Sequence, residues 1–393
     1  MDVQPATEPA WRQCLLSARV LPNRTQRSRS GARFSPESPL SAWYPKTMLR
    51  QTSCLRGTSI SICRFFSSAQ GPNRLRIVDS IASRLDAIDV HQFREKAFLP
   101  EKPILISTRS GSKSSTAAIR PSDQSLPATH KWFFTEAANN GAESVKLSRA
   151  LALSQQYLSA FGDTILPCEL YINSKEDFTR NWLRKEDAVP ENREVAFLVQ
   201  MLEISEGTTF HRFKAPLSLF LQACRSNTGS KRLESLYIAQ AQIADLPKQL
   251  QDDLPTPRVV KEGGKGDVYD ANIWMGIPPT YTPLHKDPNP NLFVQLASSK
   301  RVRIFRPQVG RAIFYEVQQK IGQHSSATFR GGEMMEGPER HALDASVWDD
   351  AVARDGFEAT VGPEDALFIP KGWWHSIKSI GTDLNASVNW WFR

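Results

Sequence analysis

The chain has 393 residues, enough for one large core or two modest ones, and carries 49 Lys/Arg against 41 Asp/Glu. The excess is local: residues 1–66 hold ten basic and three acidic groups, leaving 39 and 38 for the remainder, so the body offers no electrostatic case for nucleic acid. No apolar run reaches the ~18 residues of a helical membrane span, and only Cys168 and Cys224 lie beyond the basic segment, which argues against a disulfide framework or a thiolate zinc site.

Residues 48–70 combine arginines, serines and scattered apolar side chains with no acid, the composition of a mitochondrial transit peptide. Arg64-Phe-Phe-Ser67 resembles a matrix-processing site, with cleavage expected near Phe66. Residues 1–66 are therefore expected to be a disordered leader to the mitochondrial matrix, with 1–47 an extension ahead of a second start at Met48. Without import, the expected location is cytoplasm or nucleus.

Residues 67–230 read as an N-terminal α/β support region. Positions 76–105 suggest an amphipathic helix running into a strand, and 107–129 a Ser/Thr-rich loop with little to bury. Positions 148–161 have helical periodicity, 165–172 and 195–201 look extended, and 216–224 suggests a short helix with Pro216 in its first turn. From 231 to 393 the pattern changes. After a β-rich segment at 236–240 and a polar helical piece ending at Pro255, short strands are predicted at 271–276, 292–296, 301–305, 366–369, 375–380 and 386–391. Pro, Gly and Asn turns separate them, which argues for an antiparallel barrel or sandwich. A long insert, 307–363, separates the strands around Asp287 from those around His375 and is expected to fold over a pocket mouth.

The chemistry concentrates in Thr282-Pro-Leu-His285-Lys-Asp287. On a strand, His285 and Asp287 point to one face and Lys286 to the other. His-x-Asp alone arises easily by chance, but a hairpin follows it. In the return strand Lys300 shares a face with Val302 and Ile304, where a buried ammonium needs a counterion. His375 follows a Pro-Lys-Gly-Trp-Trp turn between two strands. Two imidazoles and one carboxylate make the facial set of non-haem iron(II) sites, with coordination positions left open. His91, His130, His211, His324 and His341 lack such partners. There is no Gly-x-Ser-x-Gly, and Gly263-Gly-Lys-Gly266 lacks phosphate-loop spacing, so neither a serine hydrolase nor a nucleotide-loop reading stands.

From Leu236 onward these segments resemble the JmjC-domain, cupin-like 2-oxoglutarate oxygenases. The matching pieces are Leu236-Tyr-Ile-Ala-Gln, Ile273-Trp-Met-Gly, Thr282-Pro-Leu-His-Lys-Asp-Pro, Asn291-Leu-Phe-Val-Gln, Lys300-Arg-Val-Arg and Ala366-Leu-Phe-Ile-Pro-Lys-Gly-Trp-Trp-His. The resemblance implies a mainly β, α+β fold: a double-stranded β-helix (cupin or jelly-roll) barrel with an N-terminal helical region packed on it. It implies Fe(II) on His285, Asp287 and His375, with 2-oxoglutarate and O2 as cosubstrates. Lys300, Tyr237 and Thr282 would hold the distal carboxylate, Asn291 and Asn389 would approach the metal-chelating end, and Trp274 would stand in the pocket wall. The expected activity is hydroxylation of a protein side chain. Alternatives are hydroxylation of modified RNA, lysine demethylation, or a non-catalytic metal-binding cupin. Because many such enzymes dimerise through C-terminal helices and this chain stops after its last predicted strand, a monomer or weak dimer is expected.

Overall fold

A computed structural model of the protein describes residues 75–109, 126–137, 149–172, 210–226, 235–322, 335–350 and 355–393. The leader, most of the Ser/Thr-rich stretch and the predicted strand at 195–201 lie outside the described residues.

Among the described residues, eight strands precede the motif region: β1 Arg76–Ile77, β2 Ser80–Ile81, β3 Ile104–Ile106, β4 Phe133–Ala137, β5 Arg149–Leu153, β6 Ile165–Tyr171, β7 Phe210–Pro216 and β8 Leu236–Gln242. Eight more follow: β9 Val268–Gly276, β10 Tyr281–Lys286, β11 Asn291–Ala297, β12 Ser299–Phe305, β13 Phe357–Val361, β14 Ala366–Ile369, β15 Trp374–Ile380 and β16 Asn385–Phe392. They form a five-stranded sheet, β1-β13-β12-β15-β10, facing a nine-stranded sheet, β2-β3-β14-β11-β16-β9-β8-β6-β7, with β4-β5 as a separate hairpin. This is the two-sheet jelly-roll arrangement expected of a cupin. The support region contributes strands as well as helices, since β2, β3, β6 and β7 extend the larger sheet.

Three apolar clusters explain the layering. On the outer face of the nine-stranded sheet, Leu292, Val294, Phe368, Val388 and Trp390 meet Phe93, Trp132, Phe220 and Val259 of the N-terminal and connecting segments. Between the sheets, Phe293, Val302, Ile304, Val361 and Ile369 form a second cluster. Strand β11 is therefore buried along its whole length, which accounts for its near-continuous apolar sequence. The third cluster lies outside the five-stranded sheet and contains Leu284, Phe305 and Trp374.

Two expected helices are shorter than their periodicity suggests. Residues 76–81 form small strands paired with β13 and β3, and helical backbone begins only at Val90, where the Asp89 carboxylate accepts from the His91 amide at 2.9 Å. Likewise β5 pairs with β4, leaving Gln155–Leu158 as the α-helical part of 148–161. In both places a strand partner supplies backbone bonds that override the local period.

Among the described residues, three longer helices are α1 Leu217–Ser226, α2 Pro307–Ile321 and α3 Gly337–Trp348. Helix α2 starts on Pro307 and stops at Gly322, whose φ of 66° suits a left-handed C-terminal cap. The described part of the insert does not cover the pocket mouth. Instead Ile313, Phe314 and Val317 of α2 and Leu343 and Val347 of α3 cover the back of the five-stranded sheet, because Leu284, Phe305 and Trp374 present an apolar surface there. Arg303 locks the arrangement: its guanidinium donates to Glu358 at 2.8 Å, the Val347 carbonyl at 2.7 Å and Asp350 at 2.6 Å.

Gly310 permits the close approach of α2, since a Cβ there would stand 2.2 Å from Trp374 Cγ. Gly310→Ala should therefore lower stability by about 1–3 kcal/mol through overpacking, despite alanine's better helix propensity. Urea denaturation provides the measurement; a stability gain would show that Trp374 yields freely.

Candidate metal and cosubstrate site

Strands β10 and β15 are antiparallel neighbours, with His285 directly opposite His375. An irregularity between Thr282 and His285 sets this register. Asp287 follows the end of β10, where its carbonyl accepts from the Gly372 amide at 3.2 Å. The turn before β15 is thereby tied to the turn after β10, and all three metal-type side chains face one point. Their ligand atoms lie within 4.8 Å of one another. His285 Nε2 is 3.9 Å from Asp287 Oδ1, and His375 Nε2 is 3.6 Å from Asp287 Oδ2.

Backbone carbonyls fix both imidazole tautomers. His285 Nδ1 lies 2.9 Å from the Pro283 carbonyl and His375 Nδ1 lies 3.3 Å from that of Trp373. A carbonyl only accepts, so each Nδ1 carries the proton and each Nε2 presents its lone pair to the common point. The carboxylate is oriented by a chain of amides. Trp274 Nε1 donates to Asn389 Oδ1 at 2.7 Å, Asn389 Nδ2 to Asn291 Oδ1 at 3.3 Å, and Asn291 Nδ2 to Asp287 Oδ2 at 2.8 Å. Asn291, Asn389 and Trp274 thus support the metal carboxylate, a role that their resemblance-based assignment did not include.

Lys300 enters from β12 and is 2% exposed. Its ammonium donates to Ser387 Oγ at 2.8 Å and to Tyr237 Oη at 3.4 Å, and lies 5.3 Å from the Phe293 ring centre. Among the described residues no carboxylate pairs with it, and burial pushes its pKa from the ordinary 10.5 down to about 7. Tyr237 can approach because its cross-strand neighbour is Gly276, where a Cβ would sit 2.1 Å from the tyrosine ring. The site thus has a metal-binding end and, deeper, a cationic end with hydroxyl neighbours.

His285, Asp287, His375, Lys300, Thr282, Tyr237, Asn291, Asn389 and Trp274 all line one cavity of about 350 Å³ between the sheets, within the range of small-molecule sites. Sequence reasoning missed Ser387, which the alternation of β16 places two residues before Asn389 on the same face. It also missed Phe293 and the outer lining residues Gln240, Tyr269, Asp270 and Trp391. His91, His130, His211 and His341 belong to no metal-type cluster among the described residues, and His324 lies outside them.

The donor set fits ferrous iron: two neutral imidazole nitrogens and one carboxylate on one side, with the cavity on the other. The buried, carboxylate-free ammonium at the far end fits the distal carboxylate of 2-oxoglutarate. Comparison with known proteins agrees. Residues 127–393 match the family model described as a cupin-like domain.

The chain belongs to the cupin-like family.

Relatives that it matches are named lysine-specific demethylases and Jumonji C proteins. It is 28% identical over 174 residues to lysine-specific demethylase JMJ30 of Arabidopsis thaliana, covering 44% of this chain and 37% of that protein. It is 27% identical over 168 residues to lysine-specific demethylase 8 of Danio rerio, covering 42% and 38% respectively. It is also 27% identical over 158 residues to Jumonji C domain-containing protein 5 of Drosophila melanogaster, covering 39% and 36%. The aligned stretches thus span under two-fifths of each relative's length.

Two predictions follow from the geometry. Asn291→Ala, which frees Asp287 Oδ2, should weaken Mn(II) or Fe(II) binding by about 10- to 100-fold, and Asp287→Ala should abolish it; calorimetric titration distinguishes the two. Lys300→Met should remove cosubstrate binding while stabilising the cosubstrate-free protein near neutral pH. The native amine has a lowered pKa, so the unfolded chain binds the extra proton between about pH 7 and 10.5, and wild-type stability rises with pH across that window. The Lys300→Met advantage should therefore shrink as pH rises, as measured by thermal unfolding. A pH-independent difference would place the amine in a solvated setting.

Proposed function

We propose that the protein is a 2-oxoglutarate-dependent dioxygenase that hydroxylates a protein side chain. The single observation that carries this reading is the pairing of a three-ligand metal cluster with a buried lysine in one cavity. A scaffold that only bound a metal would have no use for Lys300.

His285, Asp287 and His375 would hold the iron, while Lys300, Tyr237 and Thr282 would hold the distal carboxylate of 2-oxoglutarate. When bound, iron and 2-oxoglutarate supply the activation of O2 and the insertion of one oxygen into a C–H bond, with succinate and CO2 as co-products. The chain supplies orientation. Cross-strand pairing presents both imidazole lone pairs, the amide chain aims Asp287, and the Lys300 ammonium fixes which end of the cosubstrate enters first. Phe293 and Ile377 line the same cavity and help exclude water.

Demethylation of a lysine side chain is the second reading, favoured by the names of the Arabidopsis and Danio relatives. Both outcomes begin with oxidation of a C–H bond, and they differ in whether the product keeps the oxygen or loses a one-carbon fragment. The acid-free, basic composition of residues 48–70 supports import into mitochondria as the place of action.

The full chain, supplied with Fe(II) and 2-oxoglutarate, should form succinate slowly even without a protein substrate, and His285→Ala should stop it. Absence of turnover together with failure of N-oxalylglycine to bind would leave the metal-binding scaffold. Protein partners trapped by an inactive variant and then treated with active enzyme should gain the mass of one oxygen; loss of a methyl group instead would establish demethylation.

A further inference from the structure

We infer that Arg340, carried by the insert, is a positioning residue that holds the cosubstrate end of the cavity closed by stapling the two sheets together. The inference rests on the cosubstrate reading above. Among the described residues, strand β10 is an edge strand of the five-stranded sheet, bonded only to β15. Across from its start, β6 and β8 of the larger sheet pair with each other, Glu169 opposite Tyr237. Among the described residues, this seam has no ladder of backbone hydrogen bonds joining its two sides.

Arg340 spans it. Its guanidinium carbon lies 4.6 Å from the ring centre of Tyr171, at the end of β6, and 4.7 Å from that of Tyr281, at the start of β10. One planar cation thus sits against an aromatic ring from each sheet. Its Nη1 is buried without a hydrogen-bond partner among the described residues, so the rings rather than polar bonds hold that side of the group. Asp344, one turn further along α3, pairs with Lys378 of β15, whose ammonium lies 5.1 Å from the same Tyr281 ring centre.

The staple stands directly behind the cavity wall. Tyr237 and Thr280 line both the main cavity and the small niche that contains Arg340, Tyr171 and Tyr281. That niche, about 30 Å³, has room for a water molecule or so and not for a ligand, so Arg340 acts through the wall rather than on a bound molecule. A second link runs in parallel: Trp348 Nε1 donates to Ser376 Oγ at 2.9 Å, and Ser376 Oγ donates to the Thr282 carbonyl at 2.8 Å. The insert therefore governs how firmly the wall segments that carry Tyr237 and Thr282 are held, although none of its described residues lines the main cavity.

The test is N-oxalylglycine binding to the Mn(II)-loaded full chain, measured by calorimetry for wild type, Arg340→Met and Arg340→Lys. Arg340→Met should weaken binding about tenfold, leave the Mn(II) affinity unchanged and raise the KM for 2-oxoglutarate more than it lowers kcat. Arg340→Lys, which keeps the charge but not the planar stack, should recover part of the loss. If wild type binds N-oxalylglycine and both variants bind it equally well, the staple is only structural and the inference is overturned. If the Met variant loses Mn(II) affinity in the same proportion, the effect is general loosening, and the inference is again overturned. Failure of wild type to bind N-oxalylglycine would instead overturn the functional reading itself.

Discussion

A primary amine that is 2% exposed, with no carboxylate beside it among the described residues, is costly to bury. Ser387 and Tyr237 solvate the Lys300 ammonium only in part, and Phe293 on another side offers a ring face. The surrounding structure makes that burial unavoidable. Lys300 belongs to the same strand row as Val302 and Ile304, both fully buried between the sheets, so rotating the lysine outward would turn that apolar row to solvent. An anion entering the cavity supplies what the fold leaves out, and the metal cluster at the other end sets how long that anion must be.

The polar half of the intersheet space depends on this geometry. Tyr237 and Ser387 cluster near the ammonium, whereas Trp274, Asn389 and Asn291 form a directed series that ends on Asp287. The two groups share strand β16, with Ser387 and Asn389 two residues apart on its inward face. A shift in β16 register would disturb both ends of the site together. The insert helices brace the opposite wall from outside, through Trp374 next to His375 and through Tyr281 next to Thr282. Metal ligands, cosubstrate contacts and insert are therefore mechanically continuous, although only the first two reach the cavity.

Much of the site was legible because strand alternation carries it. The spacing of His285 and Asp287, the inward parity of Lys300 and the placement of His375 after a Gly-Trp-Trp turn all follow from a period of two. Ser387 obeys the same parity and was overlooked because a serine among apolar residues gives no chemical signal alone. Other features were illegible for physical reasons. Strands of two residues such as β1 and β2 are too short to show a period, and β5 has helical spacing that only its pairing with β4 overrides. The insert's position depends on Leu284, Phe305 and Trp374, which a linear pattern cannot distinguish from ordinary core residues. Arg340 meets its aromatic rings from two different sheets, a coincidence of tertiary structure alone.

The most direct measurement is calorimetry of 2-oxoglutarate binding to the Mn(II)-loaded protein at about pH 8, in two buffers of different ionisation enthalpy. With the Lys300 pKa near 7 before binding, the free amine is mostly neutral at that pH and becomes an ammonium once the distal carboxylate arrives. Binding should take up close to one proton per site, and 2-oxobutyrate, which lacks that carboxylate, should bind far more weakly and take up none. Binding of 2-oxoglutarate without proton uptake, or equal affinity for the two keto acids, would contradict the assignment of Lys300 as the anchor of the site.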